Sequence, residues 1–308
     1  MLAGGEALED YAAGRAERDL RALPDRVPQL DADAFRRELA RGGLQVYTTV
    51  NMDIQRLAES IASTQVAQLK AAHNMNNAAV VVIRPDTGEI LAMVGSVDFW
   101  NEGIQGSYNT ALAQRQPGSA FKPIVFTAAF LQGALPGYPN GITAATMTYD
   151  VPIEFDNAGQ PYTPVNIDRQ YHGPVSVRAA LANSYNVPPV QLINLIGLGP
   201  VIRTAHRLGI NSLNQADGYG LALALGSGEV SLLDLTYAFS VFDNSGTMIG
   251  MPVRKDQNIP GFRTLNPAAV LRIEDASGRV LWQYGEETHT YQRRLILEPA
   301  LAYIMTNI

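Results

Sequence analysis

The pattern of apolar and polar positions divides the chain into a charged helical start, a β-rich stretch and a mainly helical middle. Residues 1–23 are charged and rich in alanine, which is typical of a helix, and the prolines that follow end this pattern. A second short helix is predicted over about residues 31–40, because Gly42 and Gly43 after it form a common helix stop.

The next segment combines a strand with a long amphipathic helix. Residues 45–50 alternate in polarity and are rich in β-forming types, so they are predicted to form a strand. Asn51 is expected to cap a helix that ends near His73. The apolar side chains of this helix are predicted to form one stripe, made of Ile54, Leu57, Ile61 and Leu69.

Two β-hairpins are predicted, one in the first third of the chain and one in the last. The first joins residues 79–83 to 89–94 around a Pro-Asp-Thr-Gly turn. Both of its strands are almost entirely apolar, so we expect the hairpin to be buried on both faces. The second joins residues 271–274 to 279–284 around Asp275-Ala276-Ser277-Gly278.

The middle of the chain is mainly helical. Residues 136–164 are expected to form a long loop-rich insertion, and loops of that length usually carry function or partner contacts. A last helix is predicted to begin near Pro299, and because the chain stops inside it at Ile308, we expect a truncated chain. The other helices are predicted over residues 119–132, 177–182, 190–196, 200–208 and 230–242.

Composition and charge argue against several classes of protein. The net charge of −6 and the pI of about 5.3 make a nucleic-acid surface improbable on physical grounds, because phosphate binding requires a basic face. The chain has no cysteine, and its four histidines include no pair at metal-ligand spacing, so we expect no disulfide, no metal site and no cofactor. No apolar run approaches 18 residues, so a targeting segment would have to lie outside this chain.

A serine and a lysine stand three residues apart where an apolar helix begins. Ser119 and Lys122 follow a Pro-Gly turn, and on a helix their side chains share one face. A lysine whose pKa is depressed by burial is able to take the proton from a serine hydroxyl, which an arginine cannot do. The pattern therefore predicts a serine acyl-transfer enzyme, although Ser119 as a simple N-cap and Lys122 as a solvated lysine remain an alternative.

A second pair of polar residues, Ser184 and Asn186, falls between two predicted helices. The Val-Pro-Pro run after Asn186 is expected to force a loop there, and such a loop is able to present both side chains to a cleft. The alternative is that Ser184 or Asn186 only caps one of the adjoining helices. Ser-any-Asn triplets also occur at 107–109 and 212–214, so the triplet alone does not decide between these interpretations.

Seven segments together resemble the transpeptidase domain of the penicillin-binding proteins of class A, the bifunctional peptidoglycan synthases. The resemblance covers about residues 41–308 and implies an α+β fold, in which a helical subdomain packs with an antiparallel sheet. Residues 44–308 would form this domain, and residues 1–43 would be a linker-like helical segment. The matching segments, in order, are 41–49, 86–95, 115–123, 162–166, 180–188, 224–230 and 237–246.

The resemblance implies a role for each candidate residue. Ser119 would attack the penultimate D-alanine carbonyl of a peptidoglycan stem peptide, and its backbone amide would form half of the oxyanion hole. Lys122 would be the general base, Ser184 would relay the proton to the leaving amine, and Asn186 would bind the peptide backbone and position Lys122. The resemblance thus implies a D-Ala-D-Ala transpeptidase, and β-lactams would acylate Ser119, which would make the protein an antibiotic target.

The resemblance also implies a cellular location for the protein, and further segments of the family that this sequence does not contain. The protein would work at the extracytoplasmic face of the cytoplasmic membrane, held there only by an N-terminal anchor, beside a glycosyltransferase domain. The Lys-Thr-Gly strand of the family, which supplies a second oxyanion amide, does not occur in the sequence. We therefore expect impaired activity, and a sheet reduced to the hairpin 79–94 with an exposed edge.

Two alternatives stay open from the sequence. A hydrolase on the same scaffold, a DD-carboxypeptidase or a β-lactamase, would need a base for deacylation, and Glu154 or Glu229 could be nominated without support from their spacing. Glu229 is interpreted instead as an acidic residue in the first turn of a helix. The other alternative is a catalytically silent module that only binds stem peptides.

Overall fold

A computed structural model of the protein describes residues 44–157, 159–215, 218–253, 257–285 and 290–308. The helices predicted over 1–23 and 31–40, and the linker-like segment 1–43, lie outside the described residues. The chain divides into two compact units. The first unit runs to Ala113 and adds Met248–Asp256 and Thr264–Arg294, and the second consists of Gln114–Thr247, Gln257–Arg263 and Leu295–Ile308.

The elements follow one another along the chain as short strands and helices. The strands are β1 Gln45–Thr48, β2 Val80–Arg84, β3 Glu89–Val94, β4 Met147–Asp150, β5 Phe155–Asn157, β6 Gln160–Tyr162, β7 Gly173–Ser176, β8 Thr247–Pro252, β9 Leu265–Asn266, β10 Val270–Glu274, β11 Val280–Gln283 and β12 Gln292–Leu295. The α-helices are α1 Met52–His73, α2 Lys122–Phe130, α3 Val177–Ala182, α4 Val187–Ile196, α5 Leu198–Leu208, α6 Leu232–Asp243 and α7 Pro299–Asn307. Short 3₁₀ helices cover Glu102–Ile104, Gly118–Phe121 and Leu221–Leu225.

Helix α1 in the first unit has the predicted limits but not the predicted buried face. The side chain of Asn51 accepts hydrogen bonds from the backbone of Asp53 and Ile54, both at 3.1 Å, so the expected N-cap is confirmed. The predicted stripe is wrong for Leu57 and Ile61, which are 59% and 52% exposed, whereas Ile54 packs against the core as predicted. The buried residues of α1 are Gln55, Ala58, Ala62 and Val66.

Small side chains explain this choice of face. Ala58 and Ala62 pack against Ala92 and Val94 of β3, and two alanines let the helix lie close to the strand. Helix α1 therefore covers β3 through its smallest residues and leaves larger apolar ones in solvent.

The hairpin of β2 and β3 is confirmed, although its burial differs from the prediction. The strands pair antiparallel from Val80 opposite Val94 to Arg84 opposite Glu89. Strand β3 is buried along almost its whole length, but β2 is only half-buried and Arg84 is exposed. The expectation of burial on both faces is therefore wrong for β2, because α1 packs mainly on the neighbouring strand.

The hairpin of β2 and β3 forms a two-stranded sheet by itself, as expected, but the first unit also contains two three-stranded sheets. Strand β1 pairs with β10, which pairs with β11, and the predicted second hairpin is thereby confirmed. A second three-stranded sheet has the order β12, β8, β9. Strand β8 follows α6 directly and buries most of its apolar residues, a strand that the sequence pattern missed.

The second unit is mainly helical around α2. Residues Ile124, Val125 and Phe126 are fully buried, because α4 and α5 both pack against this helix. Helix α4 begins at Val187, earlier than predicted, since prolines are tolerated in a first turn where their missing N–H has no partner to lose. Residues 136–164, expected to be loop, include β4 and the hairpin of β5 and β6.

Candidate active site

Lys122 begins α2 and is buried at the centre of the candidate site. Its side chain is 1% exposed, and its Nζ donates to the Ser184 carbonyl oxygen at 2.5 Å, to Ser184 Oγ at 3.0 Å and to Asn186 Oδ1 at 2.7 Å. Burial lowers the pKa of Lys122 from 10.5 to about 8. The alternative of a solvated lysine is therefore wrong.

Ser119 lies one turn before Lys122, in the 3₁₀ helix Gly118–Phe121, and it is exposed. Its carbonyl oxygen accepts from the backbone N–H of Lys122, while its hydroxyl has no hydrogen-bond partner among the described residues. Helix α2 has Phe121 at its N-cap position, without a side-chain cap. Ser119 is therefore not the N-cap of this helix, and the residue is exposed to solvent.

Two glycines shape the turn that carries Ser119. Gly118 has a φ of +59°, a conformation that glycine adopts without strain. A Cβ on Gly226 would lie 2.2 Å from the Gly118 carbonyl oxygen, so only glycine lets these two backbones meet. Arg115 and Val230 exchange backbone hydrogen bonds of 3.0 and 2.9 Å just outside this contact, which ties both segments together.

Ser184 ends α3 in a left-handed conformation with a φ of +56°. Its N–H donates to Leu181 at 2.9 Å and the N–H of Tyr185 donates to Ala180 at 3.0 Å, the pair of bonds that defines a Schellman motif. A serine at this position, where glycine is usual, is strained by about 1–3 kcal/mol. The conformation brings both the carbonyl and the hydroxyl of Ser184 to Lys122 Nζ.

Asn186 connects Lys122 to a neighbouring loop. Its Oδ1 accepts from Lys122, its Nδ2 donates to the Val165 carbonyl at 2.7 Å, and its backbone N–H donates to Asn166 Oδ1 at 2.7 Å. The side chain makes no cap bond to α4. The side chain of Asn186 is therefore not a helix cap. Ser184 ends α3 through backbone hydrogen bonds only, while its side chain contacts Lys122.

The structure thus brings Lys122, Ser184 and Asn186 into direct contact and places Ser119 on the preceding turn. When Lys122 is neutral, its amine is able to accept a proton, and the Ser184 hydroxyl is near enough to pass one on. A hydroxyl on the turn that precedes a buried amine, at a helical N-terminus, is an arrangement suited to nucleophilic catalysis.

Behind Asn186 lies a polar group of residues to which sequence reasoning assigned no role. Asn166 Nδ2 donates to Asp150 Oδ2 at 2.7 Å, and His172 Nδ1 is 2.7 Å from the same oxygen. Asn166 belongs to one of the segments that carried the resemblance, which was the available signal for it. Nothing in the sequence pattern pointed to Asp150 or His172.

Neither glutamate nominated for a hydrolytic reaction contacts this site. Glu154 and Glu229 are exposed, and neither forms a hydrogen bond with the candidate residues in the described part of the chain. Glu229 also precedes the N-cap of α6, Ser231, and the acidic residue of that first turn is Asp234. The interpretation of Glu229 as a first-turn acid is therefore wrong, because the helix begins after Glu229.

The site consists of hydroxyl, amine and amide groups. Across the described ranges, no group of three or more His, Asp or Glu side chains is placed to hold a metal ion. Within the same ranges, no helix is both long and apolar enough to cross a bilayer.

The chain is similar in sequence to known proteins. Residues 78–255 match the family model of the penicillin binding protein transpeptidase domain. Penicillin-binding protein 1A of Neisseria meningitidis is 31% identical over 234 residues, which is 75% of this chain and 26% of that protein. Penicillin-binding protein 2D of Bacillus subtilis is 27% identical over 276 residues, 89% of this chain and 34% of that protein.

Solved structures share the fold. PonA1 of Mycobacterium tuberculosis, in complex with penicillin V, aligns with a TM-score of 0.66 at 23% identity over 94% of this chain and 68% of that chain. Penicillin-binding protein 1A of Haemophilus influenzae aligns with a TM-score of 0.58 at 24% identity over 74% of this chain and 34% of that one. The expected α+β transpeptidase fold is confirmed, while the chain spans about a quarter to a third of the length of the curated relatives above.

Proposed function

This chain belongs to the penicillin-binding protein transpeptidase family, and from that premise we propose that it is a serine DD-transpeptidase that cross-links peptidoglycan stem peptides. Ser119 is the proposed nucleophile, Lys122 the general base, Ser184 the proton relay and Asn186 the residue that binds the peptide backbone and positions Lys122. The observation that carries this proposal is the buried Lys122 amine, held by Ser184 and Asn186 and with its pKa lowered to about 8.

Acylation begins when the neutral Lys122 amine takes the proton from the Ser119 hydroxyl. The Ser119 oxygen attacks the carbonyl carbon of the penultimate D-alanine, and the backbone N–H of Ser119 donates to the oxyanion that forms. Lys122 then returns the proton through the Ser184 hydroxyl to the departing nitrogen. The peptide bond breaks, terminal D-alanine leaves as an amine, and the stem remains as an ester on Ser119.

Deacylation repeats these steps in reverse with a different amine. The amine of a neighbouring stem attacks the ester carbonyl and loses its proton towards Ser184 and Lys122, while Ser119 recovers a proton as it leaves. The product is a new peptide bond between two stems. A β-lactam enters the first half in the same way, because its strained amide is attacked by the same oxygen and opens while its nitrogen stays attached.

Covalent labelling tests the proposal. The protein is incubated with a fluorescent penicillin long enough for slow acylation to finish, and the labelled peptide is identified by mass spectrometry. We expect one label per molecule on the peptide that contains Ser119, and none in Ser119→Ala. Folded protein that remains unlabelled after long incubation would contradict acyl transfer and favour the silent binding module.

A product assay separates the transferase from the hydrolases. With stem peptide and an acceptor amine, the transpeptidase yields a cross-linked dimer and D-alanine in equal amounts. A carboxypeptidase would release D-alanine without dimer, and a β-lactamase would turn over penicillin instead of retaining it. The absence of contacts from Glu154 and Glu229 to the described site residues favours slow hydrolysis of the acyl-enzyme.

The wider setting is proposed from the family alone. The whole protein would include a glycosyltransferase domain and an N-terminal membrane anchor, and would act at the extracytoplasmic face of the cytoplasmic membrane. Its partners would be stem peptides that end in D-Ala-D-Ala, with β-lactams as inhibitors. Nucleic acid is not among the proposed partners, given the net charge of −6.

A further inference from the structure

A continuous line of hydrogen bonds leads away from the Lys122 amine into the second unit. Lys122 donates to the side chain of Asn186, and the backbone N–H of Asn186 donates to Asn166 Oδ1 at 2.7 Å. Asn166 in turn donates through Nδ2 to Asp150 Oδ2 at 2.7 Å and to the Gln170 carbonyl at 2.8 Å. Every polar atom of the Asn166 side chain is thus committed, and the residue is almost fully buried.

Asp150 is the anchor of this line. Its side chain is 0% exposed, and its Oδ2 accepts from Asn166, from the His172 backbone N–H at 2.9 Å and from His172 Nδ1 at 2.7 Å. Its Oδ1 is buried without a hydrogen-bond partner among the described residues. Burial of a carboxylate costs free energy unless donors satisfy it, and here all the donors are on Oδ2. These three donors therefore fix the position of the Asp150 side chain.

His172 also contacts the loop 184–186 directly. Its ring stacks on Tyr185, the residue between Ser184 and Asn186, with centroids 4.1 Å apart and planes 13° from parallel. Its Nε2 lies 3.2 Å from Asp168 Oδ2, so the ring is held between two carboxylates. Tyr185 is therefore fixed by stacking, and Asn186 by the line through Asn166.

We propose that Asn166, backed by Asp150 and His172, is a positioning residue for the catalytic amine: it holds the 184–186 loop so that Ser184 and Asn186 stay on Lys122. This inference rests on the proposed function and adds three residues that do not touch the Ser119 hydroxyl. The loop needs such support because Ser184 is held in a strained left-handed conformation. Without it, the loop would relax and admit water to the amine.

Titration of Lys122 tests the proposal without any need for acylation. The chain contains Lys70, Lys122 and Lys255, so protein labelled with ¹³C at lysine Cε gives a spectrum that Lys70→Arg and Lys255→Arg variants assign. In Asn166→Ala we expect the midpoint of Lys122 to rise from about 8 towards 10.5, because water reaches the amine. We also expect the acylation rate at saturating penicillin to fall by about 10- to 100-fold, as misplacement of a catalytic group does.

A matched control separates positioning from loss of stability. Asp234 is also buried in the second unit and forms an ion pair of 2.5 Å with Arg263, away from the candidate residues. Asp234→Asn should lower Tm at least as much as Asn166→Ala and leave both the Lys122 midpoint and the acylation rate of folded protein unchanged. An Asn166→Ala protein that loses stability but keeps the wild-type Lys122 titration overturns the proposal.

Two variants at His172, which is partly exposed, decide the question if Asn166→Ala does not fold. His172→Asn keeps a donor near the position of Nδ1 but loses the stack, whereas His172→Phe keeps the stack and loses the donor. We expect His172→Phe to shift the Lys122 midpoint and His172→Asn to retain most of the wild-type value. A wild-type midpoint in His172→Phe overturns the proposal that Asp150 and His172 back Asn166. A wild-type protein that never acylates counts against the proposed function only.

Discussion

At the scale of single residues, the proposed base Lys122 would determine when the site is able to react, because its amine must be neutral to accept the Ser119 proton. Burial lowers the pKa of Lys122 to about 8, so the neutral fraction rises with pH and levels off above that value. We expect the rate of penicillin acylation to increase about tenfold per pH unit below 8 and to reach a plateau above it. Stopped-flow labelling between pH 6 and 9.5 measures this profile.

The control for this profile is Lys122→Arg, which keeps a positive charge that does not dissociate in the measured range. It should acylate extremely slowly at every pH and show no inflection. A wild-type rate that is flat from pH 6 to 9.5 would contradict the assignment of Lys122 as the base.

The candidate residues differ in how far the sequence could identify them. Ser119 and Lys122 are neighbours on one turn, so spacing alone predicts that they share a face. Ser184 and Asn186 lie more than 60 positions further on, and the pattern left open whether they only cap helices. The contacts of Asp150 with Asn166 and His172 form only when the chain folds, so local sequence patterns do not predict them.

At the scale of elements, the backbone contact between Gly118 and Gly226 holds the turn that presents Ser119. Replacement of Gly226 by alanine places a Cβ 2.2 Å from the Gly118 carbonyl oxygen and forces a φ of +76° on a residue with a side chain. We expect Gly226→Ala to destabilise the protein by at least about 1–3 kcal/mol and to lower the acylation rate of the folded fraction. Urea unfolding and penicillin labelling measure the two effects.

Gly133 supplies the comparison for this substitution. A Cβ on Gly133 would meet no atom within 4 Å, and its backbone is not left-handed. Gly133→Ala should change stability by less than about 0.5 kcal/mol and leave labelling intact. Equal behaviour of the two alanine variants would mean that the close contact at Gly226 is not needed.

Helix α1 shows why the face of an element is harder to predict than its limits. Polar side chains are usually exposed, yet the side chain of Gln55 is 0% exposed and pairs with the backbone of Met93 in β3. Its Oε1 accepts from the Met93 N–H at 2.8 Å, and its Nε2 donates to the Met93 carbonyl at 3.2 Å. The Gln55 amide hydrogen-bonds to β3 as the backbone of a neighbouring strand would, so a polar residue lies on the buried face of the helix.

This pairing leads to a stability prediction for the first unit. Gln55→Leu fills a similar volume but leaves the N–H and carbonyl of Met93 buried without Gln55, which should cost about 1–3 kcal/mol. Ile61→Ala on the exposed face of the same helix should cost less than about 0.5 kcal/mol. Thermal unfolding compares the variants, and hydrogen exchange of the β3 peptide should accelerate only in Gln55→Leu. Unchanged exchange there would refute the role of Gln55.

At the scale of the whole molecule, the fold was predicted through the resemblance of ordered segments rather than through periodicity. Periodicity located the longer helices and both long hairpins, because those elements repeat their pattern over several turns or residues. It missed β4, β5 and β6, which have three or four residues each, too few for a period to be recognised. It also missed β8, whose apolar run begins directly after a helix exit.

The acylation rate that these 308 residues can reach depends on more than the described site. The family resemblance implies a second oxyanion donor on a Lys-Thr-Gly strand, and that tripeptide is absent from the sequence. Loss of one such donor slows acyl transfer by about 10²–10³-fold, while the proposed nucleophile and base would remain in place. We therefore expect a polypeptide of these residues to be acylated by penicillin at least about 100-fold more slowly than full-length penicillin-binding protein 1A of Neisseria meningitidis, yet still at Ser119. Parallel labelling time courses make the comparison, with Ser119→Ala as the blank. Labelling as fast as that of the relative would mean that the described site supplies both oxyanion donors by itself.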